Sequence, residues 1–111
     1  MTDDKTYLEH ILDAIDKVKA YTVDGRVAFM EDQKTQDAVV RNFEIIGEAT
    51  KRLSGELREK YPDIPWKQAA RFRDVLSHDY MGIDLTIVWN VIESHLSGLR
   101  ESIKTVLNEL S

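Results

Sequence analysis

A chain of 111 residues, 42% hydrophobic and 32% charged, has the make-up of one soluble globular domain spanning residues 1–111 with a single core. It has no cysteine, which excludes disulfides, thiolate metal sites and a cysteine nucleophile and makes a reducing cytoplasm the expected compartment. The net charge of −5 speaks against a nucleic-acid partner, but residues 41–73 hold eight Lys/Arg against five Asp/Glu, leaving −8 for the rest of the chain. A basic middle in an acidic chain suits a phosphate ligand; a solvated helix face is the commoner cause.

No apolar run reaches the roughly 18 residues of a membrane span. The acidic start MTDDKTYLEH is unlike a secretory leader. A first helix is expected from a Thr2/Asp3 cap, burying Leu8, Ile11, Leu12, Ile15 and Val18 at helical spacing. Asp24-Gly25 is a turn signal. A second helix from about Asp32 to Leu53 carries a wide apolar side and a polar stripe, Arg41, Glu44, Glu48 and Arg52, spaced for ion pairs. Ser54-Gly55 ends or bends it, ELREKY adds one or two turns, and Pro62 and Pro65 enforce a break. Pro65 suits the start of a third helix over residues 66 to about 77, stopped at Gly82. Asp84 caps a last helix to Leu110 with Leu85, Val88, Val91 or Ile92, His95, Leu99, Ile103 and Val106 inward. No segment alternates as a strand, so the fold class is all-α, an antiparallel bundle of four to five helices.

The stretch RFRDVLSHDYMGID, residues 71–84, concentrates groups that hold charge or move protons. Histidine titrates near neutrality and can take a proton from a ribose 2′-OH or return one to a leaving 5′-oxygen. Arginine stays cationic and can hold charge that builds on a phosphoryl group. This chemistry needs no metal, and His10, His78 and His95 show no ligand spacing. On an ideal helix Arg71 and His78 share a face, whereas Arg73 and His78 diverge by roughly 140°. A helix unwinding towards Gly82, or a second subunit, would relax that geometry.

The pattern Arg73-x4-His78-x-Tyr80, written RDVLSHDY, resembles the signature of the HepT-like branch of the HEPN superfamily. RNFEIIGEATKRL, IPW and MGIDLTIVWNVI are similar to that family's flanking patterns, so the resemblance covers most of the chain. It implies a homodimeric HEPN-like bundle with two Arg/His motifs in a cleft between subunits. It further implies a metal-independent ribonuclease, the toxin of a type VII-like toxin–antitoxin pair. The antitoxin would be an MntA-type minimal nucleotidyltransferase that moves AMP from ATP onto the motif tyrosine. ATP would serve the partner, and this chain would need no cofactor. Carried over by position, Arg73 stabilises the phosphate, His78 is the acid–base residue and Tyr80 the modified site, with Asp74 in support.

Simpler roles stand beside these. A histidine at a helix end also serves the helix dipole, and surface arginines pair with nearby acids. Family pattern selects Arg73 to face the phosphate; ideal helix geometry selects Arg71. The Arg41–Arg52 stripe reads as a solvated ion-pair ladder, except that Gly47 would let another helix approach and bring Glu48 near the cleft. His95 is expected inside, Trp66 and Trp89 as core or dimer anchors, and Lys51, Lys60 and Lys67 as RNA contacts. The alternative function is a non-catalytic helical subunit that binds substrate or nucleotide for a nucleotidyltransferase.

Overall fold

The first helix, α1 (Asp4–Tyr21), begins where the Asp3 carboxylate accepts the Thr6 N–H at 3.2 Å and its hydroxyl at 2.6 Å. The computed structural model describes residues 3–72 and 84–110, so Thr2, the other cap candidate, lies outside the described residues. The Asp24-Gly25 turn does more than break the chain. Gly25 sits at φ +93°, a backbone region other residues rarely enter, and opens a short helix, α2 (Gly25–Glu31). Gln36 closes that helix by donating through Nε2 to the carbonyls of Phe29 and Met30, at 2.9 and 3.0 Å.

Asp32 caps α3 (Gln33–Arg52), accepting from the Lys34 N–H and the Thr35 hydroxyl. At the other end Arg58 donates through Nη2 to the carbonyls of Lys51 and Leu53 at 3.2 and 2.8 Å, a cation on the negative helix terminus. Ser54 starts α4 (Gly55–Lys60), its hydroxyl oxygen accepting the Leu57 N–H. Ser54 also donates its N–H and hydroxyl to the two carboxylate oxygens of Asp4, at 2.9 and 2.7 Å.

Beyond the prolines, the Trp66 N–H donates to the Ile64 carbonyl at 2.8 Å across Pro65, whose φ −77°, ψ 67° is that of an inverse γ-turn. Pro65 therefore stands just outside α5 (Trp66–Ala70). The helix expected over residues 66 to about 77 is interrupted, with Phe72 helical again beyond the break. α5 halts at Arg71 (φ −85°, ψ 0°), after which Phe72 is buried with its ring centroid 5.2 Å from that of Phe43. The later part of the expected helix and its Gly82 stop lie outside the described residues.

Asp84 caps α6 (Leu85–Ser94), accepting the N–H groups of Thr86 and Ile87. A single last helix was the expectation; instead His95 (φ −121°, ψ −30°) separates α6 from α7 (Leu96–Leu110). The break turns His95 out to solvent and seats Leu96 in the core. His95 is thus corrected from an inner to an exposed position.

Helix α1 packs against α3 and α7, α3 against α2 and α5, and α6 against α7. Leu8, Ile11, Ile15, Phe43, Ile46, Ile103 and their neighbours join one hydrophobic cluster. The all-α bundle is as expected, with α1, α3 and the α6–α7 pair as its long members. Trp66 and Trp89 are both core residues, and the indole N–H of Trp66 donates to the Tyr61 carbonyl. Among the described residues no helix is long and apolar enough to cross a membrane.

The aspartate caps make stability acid-sensitive. Hydrogen bonds from Thr35 hold the Asp32 carboxyl below its ordinary value of 3.8, and Thr6 does the same for Asp3. A folded value below the unfolded one adds stability that is complete above 3.8 and disappears as pH falls through the lowered value. Asparagine caps helices about as well as aspartate but does not titrate there. Asp32→Asn is therefore expected to melt near the wild-type temperature at neutral pH and to lose less on acidification. Parallel melting curves against pH for both proteins would disprove this.

Candidate functional site

The sequence candidates do not fall together. Arg73, Asp74, His78 and Tyr80 lie outside the described residues. The residues bracketing them are firmly held: Phe72 packs on Phe43 of α3, and Asp84 caps α6. One ground for choosing Arg71 is removed, because its shared face with His78 presumed an unbroken helix and the helix stops at Arg71.

Glu48 lies in a groove of about 340 Å³ between α1 and α3. Tyr7 and His10 form one wall, with ring centroids 6.2 Å apart edge to face; Arg41, Glu44, Glu48 and Arg52 form the other. The polar stripe of α3 is therefore more than a ladder in open solvent. Glu48 and Arg52 pair at 3.5 Å with both side chains about half exposed (48% and 58%), a geometry worth about 0.3–0.5 kcal/mol. Two carboxylates and two guanidinium groups leave this groove electrostatically balanced.

Lys67 and Arg71 line a second region, between α5 and the α6–α7 break, together with Gln68, Phe72 and His95. Sequence reasoning missed His95 as a site residue by placing it inside; Ser94-His95 carries no glycine or proline that would signal the break. Lys51, exposed on the last turn of α3, belongs to neither groove. Glu48 is thus not brought together with Lys67 and Arg71. Among the described residues no group of three or more His, Asp or Glu side chains is placed to hold a metal ion.

A family model described as ribonuclease HepT-like matches residues 11–106. This chain belongs to the HepT-like ribonuclease family. It is 45% identical over 109 residues to a Methanocaldococcus jannaschii protein described as "Gamma-glutamylcyclotransferase and putative RNase", covering 97% of this chain and 49% of that one. The chain therefore spans about half the length of that relative. It is 39% identical over 97 residues to a Thermococcus cleftensis "Probable ribonuclease HepT", covering 86% and 88% of the two chains. A Caldanaerobacter subterraneus "Putative RNase" is 38% identical over 113 residues, covering 98% of each. No solved structure matches the chain. The HepT-like range takes in every sequence candidate from Glu48 to Tyr80 and also His95, whereas Tyr7 and His10 precede it.

Proposed function

We propose that this HepT-like chain is a metal-independent endoribonuclease acting as the toxin of a toxin–antitoxin pair. The observation that carries the reading is RDVLSHDY, an Arg-x4-His-x-Tyr motif inside a chain of this ribonuclease family. His78 takes the proton of a ribose 2′-OH as that oxygen attacks the neighbouring phosphorus. The P–O5′ bond breaks, leaving a 2′,3′-cyclic phosphate and, once the leaving oxygen is protonated, a 5′-hydroxyl. Arg73 holds the charge gathering on the phosphoryl oxygens, where its planar fork can donate two hydrogen bonds. In a homodimer the two copies of His78 divide the acid and base roles across one cleft. Asp74, next to Arg73 in the motif, supports the site.

Neutralisation follows from the same motif. An MntA-like nucleotidyltransferase would bring ATP; the Tyr80 phenol oxygen attacks the α-phosphorus, pyrophosphate leaves, and an AMP ester remains two residues from His78. Its bulk and negative charge exclude an RNA phosphate.

The test is incubation of purified, unmodified protein with a mixed tRNA and mRNA pool in EDTA, with product ends analysed. Fragments ending in 2′,3′-cyclic phosphate and 5′-hydroxyl are expected. Folded protein that leaves every RNA intact would remove the nuclease reading and favour a non-catalytic partner subunit of a nucleotidyltransferase.

A further inference from the structure

Two adjoining cavities, of about 260 and 540 Å³, lie between α5 and the α6–α7 break and share Pro65, Gln68, Phe72 and His95. The larger is the size of a small-ligand pocket. Although the chain has more acidic than basic residues, none of the described residues lining either cavity is acidic. Lys67 and Arg71 stand at the edge of the larger one, both exposed, and neither is held in an ion pair among the described residues. Arg52 and Arg100, by contrast, are both paired with acids. This is a local excess of positive charge that the α1–α3 groove, with two acids against two arginines, does not offer.

The interior of the cavities is different in kind. Phe72, Val91 and Leu99 supply apolar surface. Gln68 and His95 meet across the gap, Nε2 to Nε2, at 3.4 Å. That contact engages one nitrogen of each side chain; the Gln68 amide oxygen and the second ring nitrogen of His95 have no partner among the described residues. An amide and an imidazole side by side can pair with the donor and acceptor edge of a nucleobase. Cations outside, base-reading polar groups within and an apolar floor are the requirements of one nucleotide of a single strand.

We propose that this region is a nucleotide subsite for the RNA strand, with Lys67 and Arg71 holding a backbone phosphate and Gln68 and His95 reading the attached base. The inference rests on the ribonuclease reading and adds to it a place where sequence preference is set. Arg71 is two residues from Arg73, so the subsite adjoins the motif segment in sequence.

The experiment is fluorescence anisotropy with full-length His78→Ala protein, which binds without cutting, and labelled six-nucleotide homopolymers of A, C, G and U at several salt concentrations. Lys67→Ala/Arg71→Ala in that background is expected to weaken all four about equally and to flatten the salt dependence, by about 0.7 in log–log slope for each phosphate no longer neutralised. Gln68→Ala and His95→Ala are expected to leave the slope unchanged and to level the ranking of the four RNAs. Lys67, Gln68, Arg71 and His95 are all exposed, so the fold should survive. If the parent binds RNA and the double variant matches its affinity and slope, the subsite is wrong while the nuclease reading stands. If the parent binds none of the four, the subsite falls together with that reading.

Discussion

His78→Ala is expected to cleave RNA at least about 100-fold more slowly than wild type, within the 10²–10⁴ range that a positioned acid–base group supplies. Alanine can neither accept the 2′-OH proton nor protonate the leaving oxygen, and nothing else in RDVLSHDY titrates near neutrality with the same reach. In a dimer with one shared cleft, the substitution removes acid and base together. Single-turnover cleavage is the measurement, since it isolates the chemical step from product release. Wild-type rate against pH should be bell-shaped, reporting one histidine that must be neutral and one that must be charged. Unchanged circular dichroism and melting temperature would separate lost chemistry from lost fold. A folded His78→Ala protein that cuts within threefold of wild type would exclude His78 as the acid–base residue.

Phe43→Ala is expected to lower stability by about 3–5 kcal/mol. Phe43 is fully buried in the middle of α3, and its ring meets Phe72 at 5.2 Å with the planes tilted by 32°. Removing it leaves a cavity at the junction of α3 with the residue preceding Arg73. A domain of this size holds roughly 5–15 kcal/mol in all, so the loss should appear as a fall of about 12–20 °C in melting temperature. Ile103→Ala, equally buried but on α7, is the control, with an expected loss of about 2–5 kcal/mol. At a temperature where both variants are folded, Phe43→Ala should also lose RNA cleavage and Ile103→Ala should retain it. Equal activity in the two would show that the Phe43–Phe72 pairing does not position the motif.

The long helices and their starts were legible because the signals are local. Asp3, Asp32 and Asp84 each stand directly before an apolar-periodic run, and each accepts backbone N–H groups of the following turn. The halts at Arg71 and His95 were not legible. Neither position is glycine or proline, and each is followed by a residue drawn into the core, Phe72 and Leu96. Tertiary packing overrides helix continuity at both. The same holds for the candidate site. Residue types such as Glu48, Lys67 and Arg71 stand out in the sequence, but their division between two grooves depends on which helices meet. The motif itself is legible in the order of its residues, and its catalytic assignment rests on that order and on family membership.

The hold of Asp4 on Ser54 joins residues fifty positions apart through both carboxylate oxygens. A link spanning so much chain closes its loop only after local helices have formed. Its two partners, the first turn of α1 and the junction of α3 with α4, then share one fate. Helix ends usually fray singly on fast timescales, and their amides exchange with solvent early. Here the Ser54 amide should exchange slowly for a residue in a turn, because releasing it requires α1 to lift as well. Tyr7 and His10 ride on that same first stretch of α1, so the wall of the α1–α3 groove opens with this latch rather than independently of it.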